Sequence, residues 1–464
     1  MNFPFRPLLA AVALCTASTL SLADTLAEIY QLALKNDPTL KAAEATYRSD
    51  IEFERQALST IVPQISGTAS YGEQDIDTIG FNQETLGSNE TTRESDQTSY
   101  KISVFQNLFD LSAWFYFKQG KEISLRAQAQ LAADQQDLIV RVASAYFDVL
   151  SAQDNLRASQ AEERATKRQL EQTQQRFDVG LIAITEVHEA QAVFDGTVVR
   201  RLTDEGALGT AFEALTVLTG ESHSNLWELN KDFPIVDPDP LARDEWVKFA
   251  LKNNYNLKVA LHAMEGARHN ATAKRMSHAP TVTASYQYSD DENNTDLTGV
   301  GDGILDSQTD GSAWRVELTV PIFSGGLTSS QRRQAHEQYN GALQNQIGTQ
   351  RNVIRNTRAS HINVATDVQR VKARKQSIVS TRSALDATQA GYEVGTRNIV
   401  DVLQAQRSLY FSIRDYANSR YGYVINMMLL KQAAGTLSPE DIIDISKWMV
   451  AGGSTSANDM NSIR

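Results

Sequence analysis

The chain has 464 residues, with 44 basic against 56 acidic side chains and a formal net charge of −12. That acidity argues against nucleic acid as a partner, because sequence-independent binding to phosphates needs a basic surface. One cysteine, Cys15, allows no intrachain disulfide and no cysteine metal cluster.

Residues 1–23 read as a secretory signal peptide: Arg6 opens it, Leu8 to Leu20 is almost unbroken apolar sequence, and Ser21-Leu22-Ala23 offers a small-x-small cleavage site. Cleavage there removes Cys15 with the leader. Beyond it no stretch approaches the roughly 20 apolar residues of a transmembrane helix. Strands could still cross a membrane, since their signal is far weaker per segment.

The rest is written twice. Leu32 to Lys41 answers to Phe249 to Lys258, Pro63 to Tyr71 answers to Pro280 to Tyr286, and Leu218-Thr219-Gly220 answers to Ala433-Ala434-Gly435. Gly180 and Gly395 fall at equivalent places, and each half repeats one structural unit. We therefore divide the chain into a first repeat over 24–233, a linker over 234–241 marked by three prolines, a second repeat over 242–437, and a C-terminal segment over 438–464.

Each half begins with a helical run, Leu26 to Leu58 and Asp244 to Met276. Two short alternating segments come after it. Tyr100, Ile102 and Val104 alternate with polar residues, as do Val282, Ala284, Tyr286 and Tyr288, and again Trp314, Val316, Leu318 and Val320; Ile65 to Tyr71 is a weaker fourth. This period suits a barrel wall with lipid outside and water inside, and equally a half-buried sheet. Four strands of about ten residues cannot close a barrel alone, which calls for a cyclic oligomer. Asp290 to Gly311, with seven acidic residues, reads as a solvated loop rather than a calcium repeat.

Long helical runs come next, Leu111 to about Phe177 and Leu327 to Tyr392, both without proline. Some 66 residues at 1.5 Å each would reach roughly 100 Å. Their spaced apolar positions demand neighbours in a bundle, coiled coil or tube. Both runs end in a similar turn, Phe177-Asp178-Val179-Gly180 and Tyr392-Glu393-Val394-Gly395, where glycine accepts the left-handed conformation. Thr185 and Asn398 lie just beyond and are each able to cap a new helix. Such hairpin tips, Gly180 with Leu181 and Gly395 with Thr396, are where a partner would touch.

Catalysis finds no support. Histidines 188, 223, 262, 269, 278, 336 and 361 form no His-x-x-x-His pair, and no nucleophile elbow or phosphate loop occurs. No cofactor or metal is expected. A periplasmic coiled-coil adaptor or scaffold would share the leader and the long helices, but it would not explain the four alternating segments.

The stretch from Arg168 through Gln175-Arg176-Phe177-Asp178-Val179-Gly180 to Val187, the stretch Ala390 to Leu403, Ala417 to Asn426, and Gly435-Thr436-Leu437 together resemble the TolC-like outer-membrane efflux and type I secretion channels. The likeness runs over nearly the whole chain after the leader. It implies a homotrimer in the outer membrane with a large periplasmic extension. Four strands per protomer would form a twelve-stranded barrel in lipid, above a twelve-helix tube. It implies a periplasmic adaptor (membrane fusion) protein and an inner-membrane transporter as partners. It also implies a gate of polar links between hairpins, Tyr392 with Glu186 and Arg397 with Thr185, plus a further pair, Arg420 with Gln169. Asp401 matches a constriction-lining position. The best-known family channel carries a second acid three residues on, where this chain has Gln404, so one carboxylate ring is expected instead of two.

Overall fold

The computed structural model describes residues 24–82, 87–299 and 303–451. The expected leader, with Cys15, lies outside them, as do residues 452–464 of the expected C-terminal segment. In chain order the elements are α1 (Leu26–Asn36), α2 (Pro38–Asp50), α3 (Glu52–Ser59), β1 (Gln64–Asn82), β2 (Gly87–Phe109), α4 (Leu111–Asp178), α5 (Ile184–Thr219), β3 (Glu228–Leu229), α6 (Arg243–Asn253), α7 (Tyr255–Met276), β4 (Thr281–Gly299), β5 (Gly303–Thr319), α8 (Leu327–Glu393), α9 (Ile399–Ala434), α10 (Pro439–Ser446) and β6 (Met449–Val450). The second half repeats the first in order, with two leading helices in place of three and α10 added before its last strand. Among the described residues no helix is long and apolar enough to cross a membrane.

The leading helical runs, continuous by composition, are broken in the structure. Asp37 and Asn254 interrupt them at equivalent places, and each accepts the backbone N–H three residues on, from Leu40 and Leu257, at 3.0 Å. Asp37 is followed by Pro38, which fixes φ for a first helical turn and has no N–H to lose. Cap chemistry here outweighs the continuous helical composition.

The chain divides into two compact units. The unit of residues 42–134 and 248–356 holds an antiparallel sheet ordered β1-β2-β4-β5. Its register sets Ile65, Val104, Tyr286 and Trp314 in one row, with Gly67, Ile102, Tyr288 and Ser312 two residues along on the same face. The opposite face carries Gln64, Phe105, Ser285 and Arg315, then Ser66, Ser103, Gln287 and Ala313. Apolar groups thus crowd one face and stand in the open: Ile65 is 74% exposed and Trp314 80%.

The strands are about twice the expected length. Asp290 to Gly299 and Gly303 to Gly311 are strand, not loop, and the expected long connection shrinks to the few residues between them. Rows such as Asp75, Glu94 and Asp296 pair at the far end of the sheet. Acidic and apolar side chains are mixed on both faces there, Ile304 lying in that row and Ile76 and Leu297 in the next, so the period-two signal vanishes although backbone pairing continues. In the same unit α3 crosses α4 at Gly120. A β-carbon at that position would stand 2.8 Å from Ala57 Cβ and 2.9 Å from the Phe53 carbonyl oxygen. Only hydrogen fits between these backbones.

The other unit, residues 24–41, 135–247 and 357–451 of the described chain, has its core where α1, α4, α5 and α9 meet. Leu26, Ile29, Leu138, Val142, Tyr146, Phe147, Leu150, Leu215 and Met428 are buried. Phe147 stacks on Tyr421 at 5.6 Å between ring centroids. Each such aliphatic or aromatic side chain contributes about 1.5–3 kcal/mol by leaving water. The Tyr146 hydroxyl donates to the Trp227 carbonyl at 2.8 Å, and β3 pairs with β6.

Candidate functional site at the hairpin tips

α4 and α8 both end in the same way. Gly180 has φ 77° and Gly395 φ 80°. Leu181 N–H donates to the Arg176 carbonyl at 2.9 Å and Thr396 N–H to the Gly391 carbonyl at 2.9 Å, while the glycine N–H reaches Phe177 or Tyr392. These are Schellman closures, which need a left-handed residue after the helix. The two glycines expected from the sequence are where that conformation occurs.

Beyond the turn the two tips differ. Asn398 caps α9, accepting Asp401 N–H at 2.8 Å, in keeping with its side-chain chemistry. Thr185 does not cap α5. That helix starts one residue earlier, its N-cap is Ala183, and no side chain accepts a bond there. Apolar residues dominate this first tip: Leu181 is 69% exposed, with Val179 and Ile184 also open to solvent.

Arg397 folds back along the end of α8. Its N–H donates to the Gly391 carbonyl at 3.2 Å, and its Nη1 lies 3.7 Å from Asp401 Oδ2 one turn into α9. A β-carbon on Gly391 would meet Arg397 Cγ at 2.8 Å, so the missing side chain makes this path possible. Asp401 is half-buried and Gln404 exposed on the next turn. Thr185 is exposed and Glu186 half-buried in the first turn of α5.

Tyr392 presents its ring to Arg176, whose guanidinium carbon lies 4.8 Å from the centroid. Its hydroxyl is buried without a hydrogen-bond partner in this chain, so no bond to Glu186 forms within the protomer. Arg420 and Gln169 are not joined within the protomer either. Arg420, 7% exposed, donates to the Asn230 carbonyl and lies near the Tyr416 ring. Gln169 offers its carbonyl to Thr173 at 2.8 Å.

Behind the tips lie charged contacts that the sequence does not reveal. Arg414 reaches both oxygens of Asp204 at 3.1 Å, tying α9 to α5. Arg200 stands 3.5 Å from Glu162 and over the Phe411 ring at 4.9 Å. Burial pushes the Glu162 carboxyl above its usual range, against the pull of Arg200 and Arg414. Nothing in the local sequence marks these residues, because their partners lie on other helices. Among the described residues no group of His, Cys, Asp or Glu is arranged to hold a metal.

The profile of the outer membrane efflux protein family matches residues 29–221 and 246–436, one match on each repeat. The chain belongs to the outer membrane efflux protein family. It is 37% identical to the outer membrane protein TolC of Vibrio cholerae over 442 residues, covering 95% of this chain and 97% of that protein. It is 34% identical to TolC of Escherichia coli K12, over 98% of this chain and 91% of the relative. Among solved structures, CusC superimposes with a TM-score of 0.74 at 17% identity, covering 89% of this chain and 93% of that one. VceC of Vibrio cholerae gives 0.73 at 19%, over 88% and 96%. Those two likenesses establish the fold. The efflux-family chain is thus an outer-membrane exit duct with a periplasmic extension, and its family is one of channels.

Proposed function

We propose that the chain is one of three identical protomers forming a channel through the outer membrane, gated at its periplasmic end by the helical hairpins. The four-stranded sheet supports this reading most strongly. β1 and β5 each carry an unpaired edge, and one face exposes Ile65, Tyr286, Leu318 and Trp314. An open sheet in lipid leaves unsatisfied backbone groups at its edges, so copies must pool strands until the barrel closes. Three copies give twelve strands, with the apolar face against lipid and the mostly polar opposite face toward the lumen.

At the other end, Tyr392 with Glu186 and Arg397 with Thr185 would link neighbouring hairpins in the closed state, and Arg420 with Gln169 would make a further link. Three Asp401 carboxylates would line the constriction as a single ring, since Gln404 adds no charge. The tips at Gly180, Leu181, Gly395 and Thr396 would receive a periplasmic adaptor, which joins the duct to an inner-membrane transporter. Relatives include the alkaline protease secretion protein AprF of Pseudomonas aeruginosa and the efflux protein BepC of Brucella suis. An exit duct for efflux pumps, type I secretion or both fits that range, the transporter choosing the cargo.

Detergent extraction of outer membranes tests the assembly, with a trimeric mass expected. A protein recovered only as a monomer free of the membrane would refute it. In planar bilayers Arg397→Ser is expected to raise single-channel conductance, and an unchanged conductance would refute the gate.

A further inference from the structure

Tyr392 sits in the last turn of α8 with its hydroxyl buried and unbonded within the chain. A tyrosine hydroxyl buried without a partner forfeits its hydrogen bonds to water, so some other contact must hold the ring in place. The ring's partner is Arg176, in the last turn of α4, with its guanidinium carbon 4.8 Å from the centroid. We propose that Arg176 is a positioning residue of the gate: it holds the Tyr392 ring, and with it the end of the second hairpin, against the end of the first. This rests on the reading of the tips as a gate.

Three features favour Arg176 in that role. Its place in the final turn of α4 sets the guanidinium at the negative end of a long helix, where a cation is favoured. The Arg176 carbonyl accepts Leu181 N–H at 2.9 Å, so the residue's backbone is fixed by the turn itself. The flat guanidinium covers an aromatic face in a way a lysine ammonium does not. The contact also joins the two repeats. Arg176 and Gly391 occupy equivalent positions, as do Phe177 and Tyr392, so the arginine of one tip grips the ring of the other.

The clamp acts through the ring, whereas the hydroxyl is left for a second link. The two contributions are therefore separable. Losing one partly buried cation–π contact should shift the open-to-closed ratio about five-fold per protomer. The test is single-channel recording of purified channel in planar bilayers, with trimer yield and thermal unfolding measured on the same samples. Arg176→Gln is expected to raise the open fraction with little change in unfolding temperature. The same substitution should act equally in a Tyr392→Phe background, which keeps the ring. It should add nothing in a Tyr392→Leu background, which has already lost the contact. Arg176→Lys should fall between wild type and Gln, and it serves if the Gln variant is not assembled.

An Arg176→Gln channel that stays shut while Arg397→Ser opens would overturn the clamp and leave the gate standing. An equal effect of Arg176→Gln in the Tyr392→Leu background would also overturn it, since the arginine would then act on something other than the ring. If Arg397→Ser and Tyr392→Leu both stay shut, the gate fails, and the clamp fails with it.

Discussion

Gly391→Ala separates the stability of the second hairpin from its grip on Arg397. The new methyl would stand 2.8 Å from Arg397 Cγ and 3.2 Å from Thr396 Oγ1. Ordinary carbon contacts need about 3.5–4.0 Å. The arginine side chain must leave, because it is exposed and flexible while the helix is not. Leaving costs little folding energy: the exposed Arg397–Asp401 approach at 3.7 Å is worth about 0.3–0.5 kcal/mol. Against this, alanine in place of glycine in a helix gains about 0.5–1 kcal/mol. Unfolding stability should therefore lie between no change and a gain of about 0.7 kcal/mol over wild type. The gate should not be so tolerant. A charge-assisted hydrogen bond from Arg397 to the neighbouring hairpin would be worth about 1.5 kcal/mol, roughly ten-fold in the open-to-closed ratio per protomer. Circular dichroism melting in detergent and bilayer conductance on the same preparation measure the two quantities. A loss of more than about 1 kcal/mol in stability would refute the reasoning, for it would mean that the helix moved and not the arginine. Unchanged conductance at unchanged stability would refute it from the other side.

Three further substitutions probe other parts of the chain. Asp401→Asn should lower cation preference in reversal-potential measurements, and unchanged selectivity would remove Asp401 from the pore ring. Asp37→Asn should destabilise by about 2–3 kcal/mol at neutral pH, through a weakened cap on α2 and the lost Arg141 contact at 2.8 Å. Burial raises the Asp37 carboxyl, but its bonds with Arg141 and the Leu40 N–H together hold it below the usual range. Its contribution is thus present above the unfolded carboxylate pKa and lost as pH falls through the lower folded value, so the mutant and wild-type melting curves should converge in strong acid. Gly120→Ala should cost about 1–2 kcal/mol: the clash with Phe53 and Ala57 involves backbone that cannot swing away, and this outweighs the gain in helix propensity.

The sequence locates α4 and α8 to within a residue because no proline punctuates them and a glycine turn ends each. It understates the strands because alternation reports a difference between two faces. Asp75, Glu94 and Asp296 lie in paired strand where polar and apolar residues share both faces, so no face contrast remains and the trace they leave is polarity, which loops share. It favours Thr185 as the cap of α5 because threonine is the better capping residue, whereas the turn geometry sets the helix start by counting from Gly180 and leaves Ala183 in that place. The site divides in the same way. Gly180, Gly395 and Asn398 act on their own neighbours and are legible. The Arg176–Tyr392 and Arg414–Asp204 contacts join residues about 210 positions apart, and a single sequence carries no sign of them.

Departures from the internal repeat are where the tips acquire their character. With Gly180 set against Gly395, Leu181, Ile182 and Ala183 of the first tip answer to Thr396, Arg397 and Asn398 of the second, and Glu186 answers to Asp401. The turn is kept in both, since both long helices must reverse. The residues after it are apolar in one case and polar in the other. An apolar tip offers surface that water disfavours and that a partner can cover at little desolvation cost. A tip with an arginine, a capping asparagine and an aspartate offers directional bonds that can be exchanged for others. On the proposed function, one architecture, copied once, would supply an apolar tip that gives the partner its larger contact and a polar tip that also carries the switch. Exchanging Leu181-Ile182-Ala183 with Thr396-Arg397-Asn398 should therefore move the gating phenotype of the Arg397→Ser substitution to position 182. If the exchanged channel still gates from position 397, the division of labour lies in the surrounding helices and not in the tips.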